Sequence, residues 1–183
     1  MPNKNGLHLI TPTSTAKTGT GSTATINTNG SVTFSSCETL SLNGVFSADY
    51  DNYMIVARHS TTADYAWRIR FRASGTDNST ANSYVFQYLF GDSTSVSGAR
   101  TTTNYGQVSA RGNTQRAGFV ASIYGPNLAQ PTAYRSVIAD DYLSAAVTDY
   151  AGTHNQSTSY DGITFIASAG SFTGLVAVYG MRN

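Results

Sequence analysis

Seven consecutive residues constrain the fold more than any other stretch of this chain. In Ala66-Trp67-Arg68-Ile69-Arg70-Phe71-Arg72, large apolar and cationic side chains alternate without exception. A helix would scatter Trp67, Ile69 and Phe71 around its circumference. A strand places them on one face, with Arg68, Arg70 and Arg72 on the other. A strand with so apolar a face needs a second layer to bury it, so the chain must build at least two packed layers.

The residue choice elsewhere agrees. Only 11% of the 183 residues are charged, against about 25% in an ordinary soluble domain. Lys4 and Lys17 are the only lysines and Glu38 the only glutamate. Lys and Glu populate the wet faces of helices and form strands poorly, whereas the Thr, Tyr, Val, Ile and Phe abundant here suit a pleated, half-buried surface. A formal net charge of +1 is not the strongly basic balance that a nucleic-acid partner would want. The lone cysteine, Cys37, has no internal partner for a disulfide, which fits folding in a reducing cytoplasm. No stretch approaches transmembrane length, and the opening residues lack a signal-peptide core, so neither a membrane nor the secretory route is expected.

Residues 1–30 are rich in Thr, Ser, Gly and Asn, with few large apolar side chains. Alone they cannot bury enough surface to offset their ordering entropy, so they are expected as an extended anchoring arm held by a neighbouring subunit. From residue 31 onward the chain reads as short strands between turn signals. They fall at 31–35, 39–46, 53–58, 66–72, 84–90, 119–124, 134–139, 145–150, 162–167 and 175–179. Tyr84, Phe86, Tyr88 and Phe90 share one face. Residues 91–116 are polar and read as an excursion loop or a pair of edge strands, and 140–148 is the only helix candidate. The expected fold is all-β: an antiparallel two-sheet β-sandwich of jelly-roll type over residues 31–183, with the N-terminal arm outside it.

Chemistry is sparse. His8, His59 and His154 lack zinc-ligand spacing, and no Gly-x-Ser-x-Gly occurs. Asp49, Asp51, Asp140, Asp141, Asp149 and Asp161 sit in turn-like contexts, where Asp is first a turn former. No catalytic residue, metal or cofactor is therefore assigned. Two features point to contacts instead. Arg68, Arg70 and Arg72, about 7 Å apart along one strand face with Arg58 on the preceding strand, could meet a neighbouring subunit or an anionic ligand, or simply keep a sheet face wet. Tyr105, Arg111, Tyr142, Tyr150 and Tyr160 lie near strand ends and loops, where tyrosines serve glycan or host contacts as well as packing.

Leu42-Asn43-Gly44-Val45-Phe46, running into Tyr50-Asp51-Asn52-Tyr53-Met54-Ile55-Val56, resembles short β-rich virion proteins of tailed bacteriophages, cyanophages especially. Asp161-Gly162-Ile163-Thr164-Phe165-Ile166 followed by Gly174-Leu175-Val176-Ala177-Val178-Tyr179-Gly180 is similar to their final hairpin, and Gly6-Leu7-His8-Leu9-Ile10 to their opening. The resemblance implies a non-enzymatic virion protein, often trimeric, serving as head decoration or as a tail-fibre, receptor-binding module. It implies assembly in the host cytoplasm, release by lysis and contacts to other virion proteins, but it carries no site motif. The rival expectation is a free-standing carbohydrate-binding module that presents residues 91–116 and nearby tyrosines to a glycan.

Overall fold

The computed structural model describes residues 6–63, 65–112, 117–140 and 146–181. The chain opens with three short strands, β1 (Leu7–Ile10), β2 (Ser14–Thr18) and β3 (Thr23–Ile26). Then come β4 (Val32–Cys37), β5 (Thr39–Asn43), β6 (Asn52–Thr61), β7 (Tyr65–Ala73) and the two-residue β8 (Thr76–Asp77). The second half holds β9 (Tyr84–Asp92), β10 (Ser95–Thr103), β11 (Gly106–Gly112), β12 (Ala117–Tyr124) and β13 (Thr132–Asp140). It closes with β14 (Ala146–His154), β15 (Gly162–Ala167) and β16 (Phe172–Met181).

These strands form two antiparallel sheets packed as a sandwich, as the alternation in β7 requires. The larger, of ten strands, runs β10-β9-β14-β13-β12-β6-β16-β4-β3, with β1 also on β16. The smaller, of six, runs β11-β7-β15-β5-β2, with β8 on β7. A jelly-roll connectivity is compatible with this order.

Trp67 is the centre of the core. Its ring meets Phe172, His59, Phe119, Phe165 and Phe34 at centroid separations of 4.4 to 5.8 Å. Ile69 and Phe71 continue the same buried row. Farther along the sandwich Phe71 packs against Tyr160, His154 and Tyr84. At Gly152 the missing side chain admits the ring of its cross-strand partner Tyr134, which fills the space a Cβ would take. Tyr84 and Phe86 are buried, while Tyr88 and Phe90, nearer the end of β9, are half-buried.

Two regions depart from expectation, and a third follows one of its two alternatives. Residues 6–30 do not form an arm outside the sandwich. β1 pairs with β16, β2 with β5 and β3 with β4, so both sheets of the same chain hold this segment. Backbone ladder bonds supply what the polar side chains cannot, and no neighbour is needed to order it. Of the stretch 91–116, residues 91–112 follow the second of the two alternatives, an edge strand for each sheet: β10 ends the larger and β11 the smaller; residues 113–116 lie outside those described. Of the helix candidate at 140–148, Asp140 ends β13 and 146–148 open β14; residues 141–145 lie outside those described.

Candidate interaction surfaces

The arginine row divides on inspection. Arg58 is exposed on β6, in the larger sheet, whereas Arg68, Arg70 and Arg72 lie on β7, in the smaller. The connection between β6 and β7 crosses from one sheet to the other instead of turning back as a hairpin. Arg58 is therefore not alongside the other three.

Arg72 is buried. Its Nη1 sits 2.9 Å from the Asp77 carboxylate and donates to Thr164 Oγ1 at 2.6 Å, while Nη2 donates to the Gly75 carbonyl. Thr164 Oγ1 lies 2.6 Å from Asp77 Oδ1 and 2.9 Å from Ser41 Oγ. The short β8 hairpin thus folds over Arg72 and closes a polar network, which removes that charge from any contact face. Arg70 Nε donates to the Asn104 carbonyl at 3.1 Å, and the Arg68 guanidinium lies 4.1 Å over the Tyr105 ring. Both are half-buried and tied to the segment joining β10 to β11.

The tyrosines also move. Tyr105 is half-buried beneath Arg68, with its ring 6.4 Å from Phe86. Tyr150 belongs to β14, not a loop; its ring is buried and its hydroxyl accepts from Gln107 Nε2 at 2.7 Å. Tyr160 does lie in a loop, yet it is buried too. Neither Tyr150 nor Tyr160 is available to a glycan, because period-two and turn-closing positions on this fold point into the sandwich. Arg111 falls within edge strand β11, and Tyr142 lies outside the described residues.

Tyr160 takes part in the most organised polar cluster. His154 Nδ1 is 3.2 Å from the Ser83 carbonyl, so it carries the proton and donates. Nε2 then accepts from the Tyr160 hydroxyl at 2.6 Å. Asn78 Nδ2 donates to that same hydroxyl at 2.9 Å, and Tyr84 donates to the Asn78 carbonyl at 3.0 Å. Burial lowers the His154 pKa to about 4, against the opposing pull of the Ser83 carbonyl. A neutral imidazole, sealed in and fully paired, joins loop 155–161 to the core. Cys37 is buried as well, and desolvation raises its thiol pKa, which is the reverse of what a nucleophile needs. Among the described residues, no three His, Cys, Asp or Glu groups come together as metal ligands do.

The outer face of the ten-stranded sheet was not legible as a site in the sequence. The register puts Leu7, Leu89, Val96, Val120, Tyr124, Val137 and Val147 on this one face, and all are exposed. Met54, Val56, Leu175 and Tyr179 share it. Its main ion pair is internal: Arg135 donates twice to Asp149, at 3.1 and 2.5 Å. A shallow groove of about 710 Å³ crosses the face over β9, β10, β13 and β14, with Gln87, Arg100, Arg135, Asp149 and Thr153 among its polar members. The available signal was apolar residues at successive positions, as in Phe119-Val120-Ala121 and Val137-Ile138. Such runs mark a strand that is apolar on both faces.

No family model matches the chain, and no curated protein matches it. Among solved structures it is similar to the binding domain of botulinum neurotoxin serotype G, at 6% identity with a TM-score of 0.26. That match covers all of this chain and 45% of the other, so the chain spans less than half the length of its structural neighbour.

Proposed function

We propose that the protein is a non-enzymatic structural component of the exterior of a tailed-phage virion. It serves there as a shell decoration or a tail-fibre, receptor-binding module, assembled in the host cytoplasm and released by lysis. The observation that carries this reading is the outer face of the ten-stranded sheet. Nine strands side by side, about 4.8 Å apart and roughly 25 Å long, present an area near 1,000 Å². A stable protein–protein contact needs about 800 Å² from each partner, so the face is large enough, and the exposed Val120, Tyr124, Val137 and Val147 give it apolar anchors among its hydroxyl and charged residues. The uncharged, hydroxyl-rich remainder of the surface and the phage-like segments quoted above agree with it. The N-terminal segment is stitched into its own sheets, so contact with neighbours falls to this face and to the sheet edges.

The test is immunogold labelling or low-resolution imaging of purified particles, with the number of copies counted at each position. A fixed copy number at a defined place on the head or tail is expected. Absence from washed particles would overturn the reading.

The groove over β9, β10, β13 and β14 favours a second reading, a carbohydrate-binding module. Its amide, guanidinium and carboxylate groups suit sugar hydroxyls. A glycan array probed with the isolated protein separates the two readings, since a lectin binds without a particle. In that case Arg100→Ala and Asp149→Ala abolish the signal.

A further inference from the structure

β10 is the least protected element of the fold. It ends the ten-stranded path, pairs among the described residues with β9 alone, and has six successive exposed residues from Ser95 to Arg100. Its Val96 is 78% exposed. Among the described residues, no backbone hydrogen bond outside the β9 ladder reaches it. The other sheet ends differ: β3 has four residues and packs beside β2, and β11 packs against β13 and β14.

Natural edge strands are blunted by shortness, lysine, proline, a bulge or a covering element. Among the described residues β10 is neither short, bulged nor covered and has no lysine or proline, with Arg100 its one charge. It is nine residues long, Ser-Val-Ser-Gly-Ala-Arg-Thr-Thr-Thr, and keeps unbroken register with β9 from Ser95↔Asp92 to Thr103↔Tyr84. A row of unsatisfied N–H and C=O groups is thus presented on a regular, extended template.

We propose that two copies of this chain associate through β10, the two edges pairing antiparallel about a two-fold axis into one continuous sheet. Antiparallel pairing of identical strands is self-complementary and closes at two. The register that pairs all nine residues is centred on Ala99, with Ser95 opposite the second copy's residue 103. It places Arg100 opposite residue 98 of the second copy, where the glycine leaves room for the guanidinium stem beside Leu89. Leu89 already leans over Gly98 within one chain. Val96 falls opposite residue 102, a threonine whose methyl it can meet. No like charges face each other, whereas a register centred on Arg100 would oppose two guanidiniums. The closed species is a dimer, not the trimer that the phage resemblance implies, and it forms whichever particle or ligand the chain serves.

Sedimentation equilibrium of the full chain from 1 to 200 μM, an experimental range that spans common weak-to-moderate association constants, tests the stoichiometry. A monomer–dimer equilibrium is expected; a monomer throughout, or a trimer, overturns the proposal. Hydrogen exchange then reads the edge itself. Amides in 95–103 gain protection as concentration rises, and unprotected amides in the dimer overturn the edge contact. The register is tested by charge. Val96→Lys with Thr102→Lys places like charges opposite each other twice about the axis and weakens dimerisation about tenfold. Val96→Glu with Thr102→Lys makes both pairs attractive and restores it. Positions 96 and 102 are too far apart along one strand to meet within a chain, so loss without rescue also overturns the register. Particle localisation is unaffected by any of these results, so failure of this contact and failure of the virion reading are told apart.

Discussion

His59 lies against Trp67 with ring centroids 4.5 Å apart, and neither His59 ring nitrogen nor Trp67 Nε1 has a hydrogen-bond partner among the described residues. The core of the larger sheet therefore contains an imidazole that packing holds in its neutral form. Phe119 closes another side of it, at 6.1 Å.

Acid destabilisation follows from that imidazole. Desolvation lowers the His59 pKa to about 4, while in the unfolded chain a histidine titrates near 6.5. Between those values the unfolded state binds a proton that the folded state refuses. Stability is therefore full above about 6.5, falls as the pH drops, and levels off below about 4, with a loss of about 3 kcal/mol. His154 is shifted the same way and adds to the slope. Urea midpoints measured from pH 7.5 to 4 should show the fall. His59→Phe, which keeps a ring beside Trp67, should remove a large part of it; an unchanged slope would contradict the assignment.

Asp77 should matter more than its place in a two-residue strand suggests. Asp77→Ala leaves the buried Arg72 guanidinium without its counter-charge and should cost about 3 kcal/mol. Adding Arg72→Met, which removes the stranded charge, should recover part of that loss. Equilibrium unfolding of the single and double variants measures the difference. Equal stability of the two would mean that the charge is not the source of the cost.

Gly152→Val should be severe. The new side chain would occupy the place of the Tyr134 ring, whose hydroxyl accepts from the Gln107 amide at 3.0 Å. Displacing it both overpacks the core and frees a backbone donor, for a total of roughly 2–4 kcal/mol. Thermal unfolding with tyrosine fluorescence as a second probe would detect the change. Gly91→Ala, where the nearest contact for an added Cβ is at 3.9 Å, serves as the mild control.

On the outer face the expected direction is opposite. Val120→Glu with Val137→Lys alters two exposed positions that face each other across β12 and β13, and the opposite charges do not repel. The isolated domain should keep its stability to within about 0.5 kcal/mol, as exposed substitutions do. Binding of a hydrophobic dye and incorporation into particles should both fall. Normal incorporation would remove this face from the assembly.

The strands with apolar faces were legible because burial leaves a period of two, as in β7 and β9, or an apolar run on both faces, as in β12 and β16. β2, β3 and β10 were not, because Ser, Thr and Gly supply much of their sequence and their ordering comes from ladder bonds, which leave no mark in hydropathy; β1, Leu-His-Leu-Ile, is apolar but too short to show a period. The fate of Arg72 depended on a hairpin at 73–77 too short to show a pattern. The separation of Arg58 from Arg68 depended on the direction of one short connection. Tyr150 and Tyr160 show the limit of judging exposure from flanking residues: an aspartate sits next to each, and both point inward.

The pairing of β1 with β16 brings Leu7 opposite Met181, and this has a consequence for how the chain is made. Among the described residues β1 pairs with β16 alone, a strand made much later than itself. At about 5–20 residues per second, residues 7–10 wait roughly ten to thirty seconds for residues 178–181 to be joined. The ten-stranded sheet therefore stays open at β1 until β16 has been made. Its closure joins two strands that lie far apart along the chain.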